Sequence, residues 1–167
     1  MPNEEKKIKI RSIKEGDLRR TFTWVSQPWY LEEFAGRKKP TWESHMAFFT
    51  ALESDHTQLY FAVEYDKVHI GNAGLKYITD NSCECWYYIG DINYRGMGLS
   101  SRIVELLSEY AYKELKIDSI KARILETNLP SIGAVKANGF TEVAEPCSPF
   151  KGQKMLLFEK RYSKTQN

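Results

Sequence analysis

The stretch Trp86-Tyr87-Tyr88-Ile89-Gly90-Asp91-Ile92-Asn93-Tyr94-Arg95-Gly96-Met97-Gly98-Leu99-Ser100-Ser101 decides the fold. An aromatic, β-favouring run passes through a turn with two glycines. It then enters a segment whose apolar positions Ile103, Leu106, Leu107, Tyr110, Ala111 and Leu115 keep helical spacing. The physics of such a strand, turn and helix is anion binding. Backbone N–H groups in a first helical turn have no partner within the helix, and the dipole adds positive charge there. Gly96 and Gly98 let a phosphate approach the main chain. Arg95 brings charge, Ser100 and Ser101 bring hydroxyls, and a diphosphate fits the loop. A glycine-rich surface turn carrying an arginine is the plain alternative. The Walker signature is absent, because no Gly-Lys-Ser/Thr follows. Ser101 stands where a dinucleotide fingerprint needs its third glycine.

Around this stretch, strands and helices alternate. Lys7 to Ile13 alternates with period two and reads as a strand, and Glu15-Gly16-Asp17 opens a helix through Leu18, Phe22 and Val25 that Pro28 ends. Thr41 reads as the N-cap of a second helix running to about Leu52. Gln58 to Tyr65 and Val68 to Tyr77 form a hairpin around Asp66-Lys67, and Cys83 to Ile89 adds the next strand. After the long helix, Ser119 to Leu125 is a strand and Asn128 to Ala137 a helix that Asn138-Gly139 stops. Phe140 to Ala144 and Met155 to Arg161 are the last strands. Strand, crossover helix and strand imply a parallel pair, so the order predicts an α/β (α+β) domain: a mixed central sheet of about seven strands with about four helices packed on it.

The chain of 167 residues, 42% apolar and 28% charged, has room for one core, so residues 1–167 read as a single domain with its core in about 7–161. A net charge of +2 leaves no basic stripe and disfavours nucleic acid as partner. Apolar runs such as Leu59 to Val63 fall far short of the roughly 20 residues that span a bilayer. The charged N-terminus leads into no signal-like apolar run, so the expected location is cytoplasmic, with no membrane partner. Three cysteines cannot all pair, and they share no metal spacing with the three histidines. We expect reduced structural thiols and no metal.

With those elements in place, the sequence resembles the GCN5-related N-acetyltransferase superfamily, whose hallmark after the fourth strand is Arg/Gln-x-x-Gly-x-Gly/Ala. Here it stands as Arg95-Gly96-Met97-Gly98-Leu99-Ser100. A second signature is matched by Asn128-Leu129-Pro130-Ser131 with Gly139-Phe140 at its end. The resemblance implies splayed fourth and fifth strands and an acetyl-CoA site between them. Main-chain groups of Tyr87, Tyr88, Ile89 and Gly90 would pair with the pantetheine arm, and the turn from Arg95 through Gly96, Met97, Gly98, Leu99 and Ser100 to Ser101 would hold the pyrophosphate. Asn128 and Ser131 would lie near the thiol. It also implies direct attack by an amine on the thioester. Two departures stand out. Ser100 replaces the usual Gly or Ala, and Val135 stands seven residues after Asn128, where many relatives carry the tyrosine that protonates the departing thiolate. Ser131, directly or through water, and bulk solvent are the remaining proton sources, since a thiol of pKa near 8.5 leaves without much help. Ser131 also reads as a plain cofactor contact or helix cap.

For the base, Glu84 on the fourth strand is the first candidate, because the ribosomal-protein branch of the superfamily often carries an acidic residue there. An exposed carboxylate paired with a lysine is the alternative. His45, beside Trp42, Phe48 and Phe49, is the second candidate, or else a packing residue. His56 and His69 read as surface residues. The superfamily builds its acceptor pocket from the region Trp24 to Phe49, and Trp29 and Tyr30 with His45 are the candidates to touch substrate. The arrangement Trp29-Tyr30, Glu43-Ser44-His45 and Phe48-Phe49 is similar to acetyltransferases of nucleotide-linked amino sugars. A small-molecule amine is therefore the expected acceptor. Protein N-termini, an antibiotic amine or a non-catalytic acetyl-CoA-binding module are the alternatives, and a homodimer is left open.

Overall fold

The computed structural model describes residues 7–34, 38–145, 147–150 and 152–163. Among these residues seven strands form one sheet: β1 (Ile8–Ser12), β2 (Leu59–Tyr65), β3 (Val68–Lys76), β4 (Ser82–Ile89), β5 (Ser119–Leu125), β6 (Thr141–Val143) and β7 (Met155–Arg161), in the order β1-β2-β3-β4-β5-β7-β6. All neighbours run antiparallel except β4 and β5, the pair joined through a crossover helix. Asp66 and Lys67 link β2 to β3 with φ of 48° and 68°, the double left-handed geometry that suits the twist of a two-residue hairpin.

Among the described residues five α-helices cover the sheet: α1 (Leu18–Val25), α2 (Pro28–Glu33), α3 (Trp42–Leu52), α4 (Ser100–Lys113) and α5 (Leu129–Ala137). The one beyond expectation is α2. Pro28 does end α1, but it also occupies the first turn of a new helix, where its missing N–H costs nothing. Thr41 caps α3 as expected, its hydroxyl accepting from the Ser44 N–H at 3.1 Å while Ser44 returns the bond to the Thr41 N–H.

The alternation of β4 divides the interior in two. Cys83, Cys85, Tyr87 and Ile89 face α4 and join the main core with Ile103, Val104 and Leu107. Trp86 and Tyr88 face the other way, into a second cluster with Trp24, Val25 and Tyr30 from α1 and α2. Burial pushes the Cys83 and Cys85 thiols up to about 12, so at neutral pH they act as small apolar side chains. Among the described residues, no three potential ligands gather to hold a metal, and no helix is long and apolar enough to cross a membrane.

Candidate active site

The opening between β4 and β5 follows from their register. The two strands pair only at Ser82 with Ser119, Cys83 with Ile120 and Glu84 with Lys121, and then diverge. Cys85 to Ile89 therefore have no β5 partner on that side, and a cleft of about 360 Å³ lies between the strands. Tyr87, Ile89, Ser100, Ile124, Asn128 and Ser131 are among the residues that line it, so the two motifs separated in sequence meet in one space. Val135 lies at its inner wall and is almost fully buried.

The helix that points into this cleft has an uncapped N-terminus. Among the described residues no side chain caps the first turn of α4, whereas Asn128 caps α5 by accepting from the Ser131 N–H at 3.3 Å. Gly96 and Gly98 both adopt positive φ, 74° and 73°, and a Cβ at either would meet nothing within 4 Å. Their role is thus conformational and leaves open space beside the amides, as a phosphate would need. Leu99 sends its side chain into the core, which leaves only its main chain for a ligand. Met97 is exposed. Ser101 faces away, toward α5, where Asn138 Nδ2 donates to its carbonyl at 2.9 Å and its hydroxyl at 3.3 Å.

Arg95 lines the cleft and is already engaged. Its Nε donates to the Ile89 carbonyl at 3.0 Å, and its guanidinium lies 4.0 Å from the centre of the Trp29 ring. Gly90 gives its N–H to the Ile70 carbonyl at 2.8 Å, and a Cβ there would strike the Trp24 ring, so close packing alone demands glycine.

The candidate bases are not brought together. Glu84 is buried on β4, with one oxygen taken by Arg123 Nε at 2.6 Å and the other 3.9 Å from Lys76 Nζ; of the two readings from sequence, the alternative of an exposed carboxylate gives way to a buried one held by half-exposed cations. His45 is buried away from the cleft. Its Nε2 donates to the Leu18 carbonyl at 2.9 Å, tying α3 to α1, and burial holds its pKa below the ordinary imidazole range. With Tyr30, Phe48, Phe49 and Tyr60 it lines a second cavity of about 130 Å³. Tyr30 is buried and stacks on Phe34 at 4.5 Å, while Phe34 reaches the main cleft. His69 is no surface residue: its side chain is 9% exposed, Nε2 bonds Asn72 Oδ1 at 2.8 Å, and Nδ1 lies 3.6 Å from Asp17.

Sequence reasoning missed two residues. Glu33, at the end of α2, lines the cleft. Burial pushes its carboxyl up, Arg95 opposes this and Glu32 adds to it. Tyr87, expected to offer main chain only, points its hydroxyl into the same space, 3.0 Å from Ser131 Oγ. Neither placement has a local signal, since each depends on how separate elements pack.

Known proteins share this fold. Over 138 residues the chain is 28% identical to the acetyltransferase PseH of Campylobacter jejuni, covering 80% of this chain and 85% of that one. The crystal structure of that N-acetyltransferase with acetyl coenzyme A superposes with a TM-score of 0.71 at 22% identity, covering 93% of this chain and 99% of the other. Spermidine N-acetyltransferase from Vibrio cholerae, in complex with CoA and spermine, gives a TM-score of 0.84 at 16% identity, with coverage of 93% and 96%. Residues 7–141 match the acetyltransferase (GNAT) domain family, and the chain belongs to that family.

Proposed function

We propose that the chain moves the acetyl group of acetyl-CoA to a primary amine of a small molecule, with a nucleotide-linked amino sugar as the favoured acceptor. The observation that carries the reading is the three-pair contact of β4 with β5, which leaves main-chain groups of Tyr87 to Ile89 and the first turn of α4 facing one cleft. The unpaired edge of β4 suits a pantetheine arm laid along it like an added strand, and the first turn of α4 suits the diphosphate. Asn128 and Ser131 then flank the thioester end.

Trp86, Tyr88 and Phe34 form an aromatic wall at the cleft. Trp86 and Tyr88 are stacked at 6.1 Å, and Trp29 packs on Tyr88 behind them. Flat aromatic faces suit a sugar ring or a nucleobase. Glu84 shares the Trp86 and Tyr88 face of β4, and we assign it the ammonium proton, with Arg123 releasing one oxygen as the acceptor arrives. A second reading gives that proton to Glu33, because its carboxyl lines the cleft and burial raises its pKa toward the range of a working base. His45 is assigned to the acceptor side, where the second cavity adjoins Tyr60.

Thiol release from acetyl-CoA, followed with nucleotide-linked amino sugars, polyamines, aminoglycosides and peptides, tests the function. Turnover with the amino sugars is the expected result. Turnover confined to peptides or polyamines overturns the acceptor, and acetyl-CoA binding with no turnover on any amine favours the non-catalytic module.

A further inference from the structure

Val135 leaves a gap in the chemistry. Its hydrocarbon side chain lines the cleft and has no proton to give. Across the same space, a phenol reaches in from β4. The Tyr87 hydroxyl lies 3.0 Å from Ser131 Oγ, on the first turn of α5. That hydroxyl pair lines the cleft together with Ser100, on the first turn of α4. Two helix N-termini favour negative charge at this point, whether on a departing sulfur or on the phenol itself.

We propose that Tyr87, acting through Ser131, supplies the proton that the departing thiolate of coenzyme A takes up. The inference rests on the acetyl-transfer reading above. The amine nitrogen bonds to the carbonyl carbon, the carbon–sulfur bond breaks with its electron pair on sulfur, and sulfur takes the Ser131 hydroxyl proton as Ser131 takes that of Tyr87. The nitrogen sheds its surplus proton to water in the cleft, which restores the phenol. Free amine and thioester thus become amide and thiol with no charge left over. Ser131 is the group that touches sulfur, and Tyr87 is a positioning and relay partner behind it. Burial pushes the phenol up while the nearby serine hydroxyls pull it back only in part, so the resting hydroxyl stays protonated at neutral pH and is available to donate.

Tyr87→Phe keeps the ring and removes the hydroxyl. We expect kcat to fall by about a hundred-fold, within the usual reach of proton-transfer catalysis, with acetyl-CoA affinity by titration unchanged. The double variant Tyr87→Phe/Ser131→Ala should be no slower than the slower single variant, since both break one path. The solvent deuterium isotope effect on single-turnover acetyl transfer should shrink in Tyr87→Phe, which a merely structural contact would not bring about. Wild-type kcat in Tyr87→Phe, multiplicative losses in the double variant, or a loss confined to acetyl-CoA affinity overturns the relay while acetyl transfer stands. An unaltered chain that releases no thiol with any amine overturns both.

Discussion

Glu33 lines the cleft, whereas Glu84 sits at the last β4–β5 pair before it opens, and substitution can assign the ammonium proton between them. Loss of a general base lowers turnover without touching the donor, so Glu84→Gln is expected to keep acetyl-CoA affinity and lose about a hundred-fold in kcat. Full kcat in Glu84→Gln, together with its loss in Glu33→Gln, would move the role to Glu33 and leave Glu84 as the anchor of Arg123. The difficulty of reading this from sequence is concrete. Glu84 and Arg123 are separated by 39 positions, and Tyr87 and Ser131 by 44, so each partnership exists only once β4, β5 and α5 are in place. His69 misled for the same reason: its immediate neighbours Val68 and Ile70 do not announce Asp17, Trp24 and Asn72.

Elements were far more legible, because periodicity, caps and turn residues are local. Thr41 with Ser44, Asp66-Lys67 and Asn128 each mark a boundary through a hydrogen bond or a dihedral angle set within three residues. The short α2 escaped notice since six residues cannot show a helical repeat, and its aromatic side chains gain meaning only against Tyr88. The turn before α4 is the element on which the proposed donor binding depends. Gly98→Asp forces a side chain into a left-handed position and sets a carboxylate beside the amides proposed to hold phosphate, at a backbone cost of roughly 1–2 kcal/mol. We expect the variant to fold and to lose the thermal stabilisation by acetyl-CoA, which for the unaltered chain should reach about 2.7 kcal/mol at a hundred times the dissociation constant. A variant stabilised as strongly as the parent would remove the turn from the donor site.

The folded chain as a whole should weaken in mild acid. His45 and His69 are buried, and burial lowers both pKa values, the Asn72 and Asp17 contacts of His69 and the Leu18 bond of His45 opposing it only in part. The unfolded chain therefore binds protons first, and stability present above about pH 6.5 is lost as pH falls toward the lower folded values, at no more than about 1.4 kcal/mol per pH unit for each imidazole. Asp17 acts in a lower window. Burial raises its pKa, but bonds from Arg11 and the Lys14 N–H outweigh it and hold the carboxyl below the ordinary value, so its contribution persists until the pH drops below about 4. Urea midpoints at pH 8, 7, 6 and 5 should decline through the imidazole range, less steeply in His69→Gln; a flat profile would contradict the burial of both rings. The brief seam between β4 and β5 has a mechanical meaning as well. Like the covers of a book bound along a short length of spine, four strands on one side and three on the other are free to lean apart where the binding ends. A molecule slipped between them presses on both covers and braces the volume, so that tightness of grip and stiffness of the body become one property.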